Sequence, residues 1–163
     1  MIEFLPLVLT GLGIIVSILY YTNTLRNQNR SRRTQLFMNL YDTYRSLEFR
    51  KVWHTMLHLQ FEDYEEWDQK YSQDVEILAA HTSVMSFFEG VGVLLKQRLI
   101  DIEIVDDLLS VAIRSYWRKY QPVVNGTRKL LNEPKVMADS EYLYMQIMKR
   151  YSEAPDVSKL INR

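Results

Sequence analysis

The chain has 163 residues, 47% of them hydrophobic and 25% charged, with 20 basic and 20 acidic side chains in balance and no cysteine. That length allows one ordinary domain plus an appendage, and the missing thiols exclude a disulfide framework or a thiolate metal site. Charge is unevenly placed: residues 26–51 carry seven basic side chains against two acidic, and residues 62–76 carry seven acidic against Lys70 alone, which argues against a nucleic-acid surface over the whole domain.

Residues 4–25, FLPLVLTGLGIIVSILYYTNTL, contain no charged side chain. A helix of this length spans roughly 30 Å, the hydrocarbon thickness of a bilayer, so residues 1–25 are predicted to be a transmembrane anchor. A cleaved signal would open on positive charge and close on small residues. Here Glu3 precedes the run and Tyr20 and Tyr21 lie near its end, so cleavage is not expected. Arg26, Arg30, Arg32 and Arg33 follow directly, and the positive-inside rule keeps them at the cytoplasmic membrane interface. The expected location is the cell membrane, single-pass, with the N-terminus out and the C-terminal domain cytoplasmic. Thr10, Gly13 and Ser17 share one helix stripe that would let two helices associate closely, although small residues are also common in spanning helices.

Neither Gly nor Pro occurs between Gly13 and Gly90, which predicts long helices. Residues 26–35 read as a basic juxtamembrane stalk that continues the anchor, with Arg26, Arg30 and Arg33 on one face toward anionic lipid. Residues 36–152 read as a cytoplasmic helical bundle of about four main helices. Leu36, Phe37, Leu40, Tyr41 and Tyr44 mark an amphipathic helix. Ser46 caps the next, whose apolar face is Phe49, Val52, Trp53, Met56 and Leu57. An acidic, aromatic loop carries a short helix from about Tyr64 to Tyr71. Asp74, Leu78, His81, Met85, Phe88, Gly92 and Leu95 then form a heptad seam closing near Leu99. Asp101 is expected to cap a helix with Ile104, Val105, Leu108, Leu109, Ala112, Tyr116 and Tyr120 inward. Pro122 should kink it, and Asn132 with Pro134 should end it. Ser140 opens the last helix, with Leu143, Ile147, Met148 and Tyr151 apolar, and residues 153–163 are expected to fray.

Three segments carry a resemblance: IEFLPLVLTGLGIIVSILYYTNTLRNQNR, QLFMNLYDTYRS-x-EFRKVW and FFEGVGVLLKQRLIDIEIVDDLL. They resemble an uncharacterised prokaryotic family, a domain of unknown function with one N-terminal spanning helix and a small helical domain. The resemblance implies a membrane-anchored all-α protein and carries over no catalytic residue.

Candidate chemistry is sparse. His54 and His58 stand four apart, a spacing that brings two imidazoles to one metal, but the Glu of an HExxH site is missing and ordinary helix histidines are the plainer reading. His81 lies on the seam, where a buried imidazole bonded to a tyrosine or carboxylate is the plainer alternative to a ligand site. Glu89 beside it is expected to pair with Arg50 or Arg114, or with His81 to line a small-ligand pocket. Gly90 and Gly92 predict that another backbone or a bulky aromatic packs close, Trp53 or Trp117 being the aromatic candidates. No catalytic residue, no cofactor and no nucleic-acid partner are expected. The lipid bilayer and a protein partner or second copy are. The functional expectation is a membrane-tethered, non-enzymatic interaction or regulatory module; the alternative is a small-ligand or metal-dependent activity in the bundle.

Overall fold

A computed structural model of the chain describes residues 5–153, and within them are six helices and no strand, in the order α1 (Leu5–Arg45), α2 (Leu47–His58), α3 (Tyr64–Tyr71), α4 (Val75–Lys96), α5 (Ile102–Leu131) and α6 (Ala138–Glu153). The protein is all-α. Residues 1–4 of the expected anchor and all but the first residue of the expected tail lie outside the described residues.

With no breaker after Gly13, the apolar run, the basic stalk and the amphipathic segment beginning at Leu36 form one 41-residue helix, about 60 Å long. Its two halves differ in environment. Leu12, Ile14, Ile15, Val16, Ile18, Leu19, Tyr20 and Tyr21 are exposed, whereas Phe37 is 0% exposed and Leu36, Leu40, Tyr41 and Tyr44 pack against the core. Ser46 separates α1 from α2 and caps α2, its Oγ accepting the Phe49 N–H at 3.2 Å. Asp63 caps α3 by accepting the Glu66 N–H at 2.8 Å.

At the centre of the domain is α4, packed between α2 and α6. Among the described residues it is the helix long and apolar enough to cross a membrane on length and composition alone. His81, Val84, Phe87, Phe88, Val91, Gly92 and Leu95 are nevertheless buried inside the domain. The seam expected from sequence needs re-registering. Asp74 is the cap of α4, its carboxylate accepting the Ile77 N–H at 3.0 Å, and Leu78 and Met85 are only half-buried. The innermost row is His81, Val84, Phe88, Val91 and Leu95, because helices on two sides bury a wider stripe than a single heptad seam does.

The chain turns after Lys96, earlier than Leu99, through Arg98 at φ 58. Asp101 precedes α5 but makes no side-chain cap bond, because its Oδ1 accepts Arg33 Nη1 of α1 at 3.2 Å. On α5, Val105, Leu109, Ala112, Tyr116 and Tyr120 face inward as expected, joined by Ile113, Trp117, Val123 and Val124, while Leu108 is exposed. The helix runs through Pro122 and ends at Asn132, which takes the left-handed conformation at φ 49. Leu143 and Ile147 of α6 are fully buried, but Tyr151 is exposed beneath the Arg114 guanidinium, 4.4 Å from its ring centre.

Candidate functional site

Glu89 meets neither expected arginine. Its two carboxylate oxygens accept the backbone N–H groups of Asp139, at 3.3 Å, and Ser140, at 2.8 Å. These donors belong to the first turn of α6, which begins at Ala138, so Ser140 sits inside the helix and the cap arrives from α4. A carboxylate there satisfies otherwise orphaned donors and complements the positive end of the helix dipole. Gly92, one turn further along α4, makes this approach possible: a Cβ on it would overlap the carbonyl of Asp139. Of the two expected neighbours, another backbone and not Trp53 or Trp117 fills the space at Gly92, while Gly90 faces an open side. Lys119 of α5 does the converse for α2. Its ammonium donates to the carbonyls of Leu57 and Leu59, both at 2.6 Å, where the negative helix end stabilises a cation. Burial holds the Lys119 pKa below its ordinary value. Substituting Glu89 by alanine should cost about 1–2 kcal/mol, with Glu89→Gln recovering part of it through one remaining acceptor. Denaturant unfolding of the three proteins checks this, and an unchanged midpoint for Glu89→Ala would show that the cap is unimportant.

His81 lies in a column of aromatic rings that crosses the domain. Tyr44 of α1 meets Phe87, and the contacts continue through Phe88, Tyr116, Tyr120 and His81 to Trp67 of α3, with ring centres 4.8–5.9 Å apart. Such pairs add about 0.5–1.5 kcal/mol each beyond burial. The imidazole is 8% exposed, and its Nε2, like Trp67 Nε1 and Tyr116 Oη, is buried without a hydrogen-bond partner. The expected bond from His81 to a tyrosine is therefore not made: Tyr120 Oη donates to the Met56 carbonyl at 2.8 Å. Burial alone lowers the His81 pKa from 6.5 to about 4, so the ring is neutral at pH 7. Glu89 lies eight residues further along α4, roughly 12 Å away in rise, so the two do not converge on one small ligand.

His54 and His58 are exposed on α2, with ring centres 6.2 Å apart, and His58 Nδ1 lies 2.7 Å from the His54 carbonyl. Of the acids in the following loop, Asp63 caps α3, and Glu66 accepts from the Glu62 N–H and from Lys70. Among the described residues no group of three or more His, Asp or Glu is placed to hold a metal ion.

The residues expected at the membrane fall on α1. Thr10, Gly13 and Ser17 line one shallow groove with Ile14, Ile18 and Tyr21, and the Ser17 hydroxyl donates to the Gly13 carbonyl at 2.8 Å. Arg26, Arg30, Arg32 and Arg33 project from the stalk, all exposed, and among the described residues Arg33 alone of the four reaches a carboxylate, that of Asp101. The α4–α5 turn brings Arg98 beside them, a neighbour that sequence reading missed. A Lys96-Gln97-Arg98 run closing an apolar helix was the available signal. A family model described as a domain of unknown function, DUF4760, matches residues 7–147. No curated protein and no solved structure matches the chain.

Proposed function

We propose, from the premise that the chain belongs to the DUF4760 family of domains of unknown function, that it is a membrane-tethered, non-enzymatic interaction or regulatory module. Its bundle would meet a protein partner or a second copy of the chain. The observation that carries this is α1: one unbroken helix whose apolar turns are exposed and whose last turns are built into the domain core. Exposed leucines and isoleucines on every side of a helix are costly in water and favourable in lipid. The arginines that follow favour a cytoplasmic domain, and the resemblance of the sequence favours a prokaryotic cell membrane. A span through α4 is disfavoured, since it would pull Phe88 and Val91 out of the core and strip α6 of its Glu89 cap. Polar side chains of the kind that serve chemistry elsewhere here join helices: Glu89 to α6, Lys119 to α2, and Arg150 of α6 to Asp106 of α5 at 3.1 Å.

The absence of native cysteine makes topology directly testable. With Lys135→Cys, at an exposed position between α5 and α6, a membrane-impermeant thiol reagent should label the chain only after cells are permeabilised. The protein should also stay in the membrane pellet through alkaline carbonate extraction. Labelling of intact cells would invert the orientation, and release into the supernatant would remove the anchor.

A further inference from the structure

We infer that the crevice between the stalk and the α4–α5 turn is a binding site for the phosphate of an anionic phospholipid headgroup. The inference rests on the tether reading, since it requires the stalk to emerge from a bilayer. The crevice has a volume of about 550 Å³ and is lined by Asn29, Arg32, Arg33 and Leu36 of α1 and by Gln97, Arg98 and Leu99 of the turn. Three arginines from two separate elements line one space, with the Arg33 guanidinium committed to Asp101. Such planar forks bind phosphate oxygens in pairs, and the amides of Asn29 and Gln97 add donors for the ester oxygens or headgroup hydroxyls.

The charge is available. Among the described residues no carboxylate lies within ion-pair distance of Arg32 or Arg98, whereas Arg33 is held by Asp101 at 3.2 Å, which fixes the wall of the crevice against the turn. Arg98 occupies the left-handed position just past a helix end, at φ 58, a place commonly given to glycine. Here it carries a guanidinium toward the stalk. Height favours a lipid over a free anion: Asn29 and Arg32 lie four and seven residues beyond Leu25, about 6 and 10 Å of helical rise past the apolar run, from which a long arginine side chain reaches back to headgroup depth.

The test uses the full chain in nanodiscs of phosphatidylcholine alone or with phosphatidylglycerol, reading retained lipid by native mass spectrometry. Arg32→Gln with Arg98→Gln should weaken phosphatidylglycerol retention roughly 30-fold, and Arg32→Lys with Arg98→Lys should fall between that variant and the natural protein, since charge remains but the fork is lost. Equal retention by the glutamine variant overturns the site. Equal retention by the lysine variant and the natural protein reduces it to diffuse surface charge and also overturns it. Inorganic phosphate binding in phosphatidylcholine discs as tightly as phosphatidylglycerol would assign the crevice to a free anion, against the lipid. Failure of the tether itself reads differently: the unsubstituted chain would then leave the membrane pellet on alkaline extraction, whereas a retained chain without headgroup preference sinks only the site.

Discussion

Replacing Phe88 by alanine should lower the unfolding free energy of the domain by about 3–5 kcal/mol, the largest loss expected from any single truncation discussed. Phe88 is 1% exposed and lies where α2, α4 and α5 meet. Its ring stacks on Tyr116 at 4.8 Å and takes the edge of Trp53 at 5.7 Å and of Phe87 at 5.3 Å. These three partners are large, planar and fixed by further ring contacts, so they cannot collapse into the space vacated. Truncation therefore costs the lost transfer energy and a cavity as well. Denaturant unfolding of a fragment starting at Thr34, which keeps the part of α1 that touches the core, provides the measurement. A loss under about 1 kcal/mol would show that the ring column is not the centre of the domain.

Acidification should destabilise the domain through His81 before most carboxylates protonate. Burial lowers the folded-state pKa to about 4, while the unfolded chain keeps about 6.5. Between these values the unfolded state binds the extra proton. The contribution of the neutral ring is thus fully present above about pH 6.5 and is lost as pH falls toward 4, in total about 3 kcal/mol. Carboxylates add their own acid lability at the lower end of that window, so the comparison is with His81→Phe, which keeps an aromatic ring between Trp67 and Tyr120 and has no proton to bind. The natural protein should lose stability from pH 6.5 to 5 while the variant stays nearly flat. Parallel curves would mean that His81 is solvated or partnered in solution.

Local chemistry was legible in the sequence and distant chemistry was not. The Ser46 cap, the helix from Tyr64 to Tyr71 and the stop at Asn132 each depend on residues within one turn of one another, and each was read correctly. The continuity of α1 followed from the same kind of local fact, a long stretch free of glycine and proline. Glu89 was misassigned because its partners are backbone donors 50 and 51 residues away, and backbone groups leave no signature in side-chain identity. Asp101 looked like a cap and is held instead by Arg33, 68 residues earlier. Leu108 was placed inward by a periodicity that fits α5 alone, whereas α3 and α6 decide which face of α5 is covered. The basic crevice was half visible: Arg32 and Arg33 are adjacent in the stalk sequence, but only folding the α4–α5 turn against them brings Arg98 to the same place.

Because α1 is unbroken from its exposed apolar turns to Phe37, the heading of the domain is a matter of residue count. Each residue inserted between Arg26 and Arg30 would swing the domain by about 100° around the helix axis and raise it by about 1.5 Å. Seven inserted residues would restore the heading to within about 20° while lifting the domain by roughly 10 Å. Were the apolar run held in a bilayer as proposed, the stalk would behave as a keyed shaft. A twist or tilt imposed at Tyr20 and Tyr21 would then be passed along one continuous helix to the Phe37, Tyr41 and Tyr44 stack, and the side of the bundle presented along the membrane would change with it.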